Sequence, residues 1–215
     1  MHKLDIANIS VRLNNKDLLR DISCSFLTGN LYCIYGESGS GKTTLLRVLC
    51  SLVPYTGLAK LDNMSINKIK PELLRIKLHY LHQEPVFINE TVGANLKLPF
   101  SFKINRDKIF DEKIAISLLC ELGLDEGYME KRIDGLSGGE KQKICLARSL
   151  MLKPEFLLID EPTSALDIAS EDKVIKFLLS RKQDMGIVIA THSPQIIGIA
   201  DEKLSLSMGR LSHVK

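Results

Sequence analysis

No stretch of this chain approaches the roughly 20 consecutive apolar residues that a membrane-spanning helix requires, which excludes a transmembrane segment. The opening Met1-His2-Lys3-Leu4-Asp5 has no apolar core of the secretory type, so the chain is expected to stay in the cytosol. The five cysteines (Cys24, Cys33, Cys50, Cys120, Cys145) are scattered, odd in number and form no C-x-x-C pair. Reduced, mostly buried thiols are therefore expected, and neither a disulfide framework nor a zinc framework. The net charge is only +3, too little to mark a nucleic-acid surface or a polybasic membrane tail, and no nucleic-acid partner is expected. Internal repeats, low-complexity segments and long linkers are also missing.

What is present is material for a core. The 215 residues are 45% hydrophobic and 26% charged, which fits one large domain or two small ones. Residues 4–9 and 22–27 read as strands, with turns at Asn14-Asn15 and Thr28-Gly29-Asn30. Short strands are expected at 57–62 and 77–81, with a helix over 71–76 opened by Pro71. From about residue 86 to 143 strand-like runs disappear and helical spacing dominates, most clearly over 109–122, which Gly123 closes. The charged run through residues 106–113 reads as a solvated helix face. Strand–helix alternation then returns: strands at 156–159, 186–190 and 203–207, helices at 170–181 and 194–200. That alternation predicts a mostly parallel sheet covered on both faces, so the expected class is α/β, interrupted by an all-helical insertion.

The most informative stretch is Gly36-Glu37-Ser38-Gly39-Ser40-Gly41-Lys42-Thr43-Thr44. It follows the apolar run Leu31-Tyr32-Cys33-Ile34-Tyr35 and precedes Leu45-Leu46-Arg47-Val48, in the order strand, glycine-rich turn, helix start. Glycines let a backbone wrap an anion with its N–H groups pointing inward. The helix start adds unpaired donors and the positive end of its dipole. Lys42 is placed to reach terminal phosphates and the Thr43 hydroxyl to ligate magnesium.

Two further groups answer this loop. The strand Phe156-Leu157-Leu158-Ile159 ends in Asp160 and Glu161, and ligands of open α/β sheets bind beyond such carboxyl ends. Asp160 fits a magnesium-holding acid, and Glu161 a general base that orients water against the γ-phosphorus. Leu136-Ser137-Gly138-Gly139-Glu140 opens a helix and offers a second anion-reading start, with Ser137 as cap and donor. One glycine-rich phosphate loop thus coexists with two phosphate-reading helix starts.

This set resembles the ATP-binding cassette (ABC) ATPases over nearly the whole chain, residues 4 to about 211. In that family the P-loop, a Q-loop glutamine, the LSGG signature, an acidic strand end, a D-loop and a switch histidine occur in this order. Here they correspond to residues 36–44, Gln83, residues 136–140, residues 156–161, Ser164-Ala165-Leu166-Asp167 and His192. The resemblance implies a P-loop NTPase cassette: an α/β core with an N-terminal antiparallel β subdomain (1–85 and 144–215) and a helical subdomain at about 86–143. It implies ATP and Mg2+ as cofactors, with Gly36, Glu37, Ser38, Gly39, Ser40, Gly41, Lys42, Thr43 and Thr44 binding nucleotide. Thr43, Gln83 and Asp160 would hold the metal, and Glu161, His192, Lys42 and Gln83 would serve catalysis. Ser137, Gly138 and Gly139 would bind the ATP held by another copy, so the implied partner is a second copy of the chain in an ATP-sandwich homodimer.

As no membrane span is present, the resemblance further implies a separate integral-membrane permease docked near the segment after Gln83. That would place the chain peripherally on the cytoplasmic face of the cell membrane. The stretch Asn89-Glu90-Thr91-Val92-Gly93-Ala94-Asn95-Leu96, with Lys70-Pro71-Glu72 before it, looks like the short cassettes of iron-export or metal-resistance systems. The alternative is a soluble ABC ATPase acting on nucleic acid or ribosomes. The low charge opposes it, and so does the short separation between Gln83 and Leu136, too small for a long coiled coil. A nucleotide-binding regulator without turnover is disfavoured by the intact Glu161 and His192. Two departures stand out. Leu13 falls where the family usually stacks an aromatic ring on adenine, which leaves ATP against GTP preference open, and Glu140 replaces the commoner glutamine.

Overall fold

The computed structural model describes residues 1–84 and 86–214. The core boundary expected at residue 85 falls on Pro85, and the expected final residue is Lys215; both lie outside the described residues.

Two sheets organise the chain. The first is antiparallel and built from β1 (Lys3–Leu13), β2 (Lys16–Leu27), β4 (Thr56–Leu61) and β5 (Met64–Ser65) in the order β2-β1-β4-β5. The turn between β1 and β2 is two residues long, with Asn14 and Asn15 at φ 48° and 61°. Asparagine tolerates that left-handed region, and such turns match the twist of paired strands. β1 and β2 run well past the expected residues 9 and 22, because the turn at Asn14-Asn15 joins them into one hairpin.

The second sheet orders its strands β10-β9-β3-β8-β7-β6. They are β3 (Leu31–Tyr35), β6 (Leu78–Leu81), β7 (Phe156–Asp160), β8 (Gly186–Ala190), β9 (Glu202–Ser207) and β10 (Arg210–Val214). All neighbours are parallel except β9 and β10, an antiparallel edge hairpin turned by Met208-Gly209. β10 is an addition to the sequence reading; its Arg-Leu-Ser-His-Val is mostly exposed and carries too little apolar signal to announce a strand.

Alternation along the central strands divides the core. Phe156, Leu158 and Val188 join Tyr32 and Ile34 in a cluster with Leu45, Leu46 and Leu49 of α1 (Lys42–Leu49) and the antiparallel sheet. Leu157, Ile159, Ile187 and Ile189 face the other way, against α4 (Glu112–Glu121), α5 (Gly138–Leu150) and α6 (Ile168–Arg181). A period of two on strands buried at both faces is what a sheet between two layers demands.

α2 (Pro71–Lys77) precedes β6, and α7 (Pro194–Ile199) follows β8. Between β6 and β7 the described residues form α3 (Val92–Lys97), α4, α5 and short 3-10 turns, apart from one isolated bridge between Thr91 and Arg132. α4 starts at Glu112, later than expected, because the Asp111 carboxylate accepts from the N–H groups of Lys113 and Ile114 and caps it there. The charged residues 106–111 thus precede the helix and do not form its face.

Candidate functional site

The glycine loop leaves β3 and folds under α1. An added Cβ at Gly36 would lie 2.0 Å from the Leu206 carbonyl oxygen, so the close approach of β9 admits only glycine there. Gly41 stands at φ 108° as the residue before α1. Side chains of Thr91, Asp111, Ser137, Asp167 and Ser193 cap α3, α4, α5, α6 and α7, whereas α1, like the proline-led α2, has no side-chain cap. Its first-turn N–H donors therefore remain for an anion, and its dipole favours one.

Lys42 opens α1 and is only 7% exposed. Its Nζ donates to Gly36 O at 2.8 Å and Glu37 O at 3.1 Å, and lies 3.0 Å from His192 Nε2. A lysine nitrogen can only donate, so that histidine nitrogen is the acceptor and the ring proton sits on Nδ1.

The acids come from the end of β7. Successive strand side chains point to opposite faces, yet Asp160 and Glu161 both line one cavity. Glu161 manages this by turning left-handed, at φ 49°, with its N–H on Ala190 O at 2.8 Å. That conformation is costly for a residue with a Cβ, and such strain gathers at functional sites. The Glu161 carboxylate is fixed by the two residues that follow β8: Oε2 accepts from the Thr191 hydroxyl at 3.0 Å and the His192 N–H at 3.4 Å. Its Oε1 lies 3.6 Å from His192 Nε2. Asp160, 3% exposed, accepts the Tyr80 hydroxyl on Oδ2 at 3.1 Å. Burial first, and then the Asp160 charge, push the Tyr80 phenol up to about 12, so it stays a donor.

The cavity between these groups holds about 730 Å³. Lys42, Thr43, Thr44, Ser38, Gly39, Gly41, Gln83, Asp160, Glu161 and His192 all border it. Gly36, Glu37 and Ser40 do not; the first two supply carbonyls to Lys42 from behind, and Ser40 is buried. Sequence reasoning missed Thr163, Thr191, Ser193 and Glu171, which also line it. Ser193 donates to Glu171 Oε1 at 2.5 Å, which ties α6 to the residue after His192. The polar neighbours of His192 in Thr191-His192-Ser193 were the available signal. Leu13 is 57% exposed beside the hairpin turn and does not border the cavity, whereas Leu18 does.

Ser137, Gly138 and Gly139 are not among the cavity's lining residues. They start α5 against the 164–167 loop: an added Cβ on Gly139 would come within 3.0 Å of Leu166 Cδ2 and 3.3 Å of Ala165 O. Glu140 completes a reciprocal cap, its N–H on Ser137 Oγ at 3.3 Å and its Oε2 accepting the Ser137 N–H at 2.8 Å. The Tyr128 hydroxyl donates to Glu140 Oε1 at 2.5 Å. That bond first, then the Ser137 N–H, hold the carboxyl below the usual glutamate range.

Oxygen donors of a magnesium type meet in the cavity. Thr43, Asp160 and Gln83 border the same space, and a hydroxyl, a carboxylate and an amide oxygen are the hard donors that suit that ion.

Comparison with known proteins gives these features a setting. A family model described as ABC transporter matches residues 19–164. The chain is 34% identical over 206 residues to the probable iron export ATP-binding protein FetA of Escherichia coli K12, covering 94% of this chain and 90% of that protein. It is 31% identical to a probable ABC transporter ATP-binding/permease protein of Haemophilus influenzae, covering 98% of this chain but 39% of that longer protein. Among solved structures, the dimeric post-hydrolysis state of the ATP-binding cassette MJ0796 bound to ADP and Pi superposes with a TM-score of 0.84. That match is 25% identical and covers 99% of this chain and 98% of the other.

Proposed function

This chain belongs to the ABC transporter family, and from that premise we propose that it is an ATP-hydrolysing cassette working in pairs to drive a membrane permease. One observation carries the reading. Lys42, Thr43, Gln83, Asp160, Glu161 and His192 converge on one cavity, while the anion-reading Ser137-Gly138-Gly139 start lies outside its lining. A site with half its donors elsewhere fits completion by a second copy.

In this reading the uncapped start of α1 and the backbone of residues 36–44 cradle the β- and γ-phosphates. Lys42 moves from its loop carbonyls to the terminal oxygens. Thr43, Asp160 and Gln83 are the residues that would hold Mg2+, which neutralises charge on the phosphates when bound. Glu161 orients the attacking water and takes its proton, its own carboxylate steadied by Thr191 and the His192 N–H. His192, next to Lys42, donates to a γ-phosphate oxygen once Nε2 carries the proton. Ser137, Gly138 and Gly139 of the second copy close the site, add donors where charge develops and exclude water.

Residues 86–143 form the helical subdomain, and the permease docks near the segment after Gln83. No helix among the described residues is long and apolar enough to cross a membrane, which fits a peripheral subunit on the inner face. Likeness to the E. coli relative across 90% of its length supports outward transport of a metal, iron, as the cargo.

The test uses Glu161→Gln. The variant should lose roughly 100-fold or more of ATP turnover, since base and water orientation are both removed. It should still bind ATP and elute as a dimer in its presence, and wild-type turnover should rise faster than linearly with protein concentration. Wild-type turnover by the variant, or a monomer that hydrolyses ATP linearly on dilution, would overturn the proposal. Recovery of an integral-membrane protein with the tagged chain, and metal sensitivity of cells lacking it, check the permease and the cargo separately.

A further inference from the structure

Far from the nucleotide cavity, three side chains from distant parts of the sequence bring one metal-ligating atom each to a common point. His2 precedes β1, Asp62 lies in the β4–β5 turn, and Glu155 immediately precedes β7. His2 Nδ1 is 3.0 Å from Asp62 Oδ2 and 3.5 Å from Glu155 Oε2, and the three ligand atoms lie within 4.8 Å of one another. Bonds of about 2.0–2.1 Å to a tetrahedral ion put neighbouring ligands about 3.3 Å apart, inside the span of those two contacts.

His2 Nδ1 and Asp62 Oδ2 share one hydrogen bond, whose proton a bound ion would displace, and the third ligand atom is unspent. Asp62 uses its other oxygen, Oδ1, to accept the Lys3 N–H at 3.0 Å. Glu155 Oε1 accepts the Lys77 ammonium, whereas Oε2 is inaccessible to solvent and accepts no hydrogen bond. An orphaned buried carboxylate oxygen is expensive without a partner, and an imidazole nitrogen and a second carboxylate face it. Backbone bonds hold the ligands in place: His2 N–H to Thr28 Oγ1 at 2.9 Å, Thr28 N–H to His2 O at 3.0 Å, Asp62 N–H to Lys3 O at 2.6 Å, and Gly186 N–H to Glu155 O at 2.9 Å. The His2 and Asp62 side chains are nearly half exposed, which leaves a path for the ion and room for a water ligand.

We propose that His2, Asp62 and Glu155 form a binding site for a divalent first-row transition-metal cation, Zn2+ being the best fit. One imidazole and two carboxylates carry two negative charges, and the nitrogen selects zinc-like ions over magnesium or calcium. The Lys77 ammonium offsets part of that charge and sets a moderate affinity. The site ties the antiparallel sheet, through β1 and the β4–β5 turn, to the start of β7. Asp160 ends the same strand, about 17 Å away at about 3.3 Å per residue, so the two sites are separable. This inference does not depend on what the permease carries.

Isothermal titration of the full chain with ZnCl2, in buffer free of magnesium and nucleotide, tests it. One Zn2+ per chain should bind with a micromolar dissociation constant, and the melting temperature should rise with it. Asp62→Asn keeps the oxygen that accepts the Lys3 N–H, and Glu155→Gln keeps an acceptor for Lys77. Each should weaken zinc binding at least tenfold while leaving Mg·ADP binding unchanged. If either variant loses Mg·ADP binding, His2→Gln at the exposed edge decides, and it too should weaken zinc at least tenfold. Zinc binding of equal strength in wild type and His2→Gln would assign the ion to other histidines or Cys120 and overturn the site. No zinc binding by the wild type would leave only a histidine hydrogen-bonded to Asp62 beside Glu155, and would overturn it equally.

Discussion

Tyr80 at the end of β6 donates its hydroxyl to Oδ2 of Asp160, which ends the neighbouring strand β7, at 3.1 Å. The strands pair in parallel with Tyr80 opposite Leu158, so the phenol reaches along the ladder to the acid at its carboxyl end. Partners that orient a metal-ligating carboxylate typically matter tenfold or more to metal use. Tyr80→Phe should raise the Mg2+ concentration for half-maximal ATP turnover several-fold, with little change in turnover at saturating Mg2+. The cost in stability should be about 1 kcal/mol, from one unmade hydrogen bond to a buried acid. A magnesium titration of turnover beside a urea melt separates the two effects.

The Glu140 cap predicts a graded pair of variants. Glu140→Ala removes the reciprocal half of the cap on α5 and strands the Tyr128 hydroxyl, and should cost about 1 kcal/mol. Glu140→Gln keeps one acceptor oxygen for the Ser137 N–H and an NH2 that can donate to the Tyr128 hydroxyl oxygen, and should cost less. Equal losses on chemical denaturation would contradict the geometry.

The same carboxyl gives an acid limit. Its folded value lies below the usual glutamate range, chiefly through the Tyr128 hydroxyl bond. Its contribution is therefore complete above the ordinary value and is lost as pH falls through the lowered one. Thermal melts of wild type and Glu140→Gln should differ at neutral pH and converge on acidification below that range.

His79 in β6 acts over a higher window. Burial, and then the Arg148 charge, push its imidazole down from 6.5 to about 4. An unfolded chain binds that proton first, so stability should be full above 6.5 and fall as pH drops toward 4. The loss is at most about 3 kcal/mol, and solvent at the partly covered ring reduces it. His79→Gln should flatten the stability profile between those limits; an unchanged slope would show that other groups dominate.

The sequence displayed those parts of the site whose chemistry is local. A glycine loop between an apolar strand and a helix, and acids at a strand end, each declare themselves within a few residues. Partners joined only by folding did not: Thr191 with Glu161, Tyr80 with Asp160 and Tyr128 with Glu140 are separated by 30, 80 and 12 residues. Glu140 shows the cost of reading a motif by its usual letters, since the substituted residue builds the cap of its own helix. Among the strands, β3, β7 and β8 were legible because both faces are buried and the apolar run is unbroken. β10, polar and at an edge, was not. Leu18 drew no notice in the sequence, yet it borders the cavity, while the hairpin turn leaves Leu13 exposed.

The start of α5 lies against the loop that follows Glu161, where a Cβ on Gly139 would already press on Leu166 and Ala165, so a shift of one is felt by the other. In the pair proposed above, each cassette would then transmit the condition of the phosphate it grips to the phosphate its twin holds. Two engines geared in this way need no separate timing device: the stroke of one sets the compression of the other.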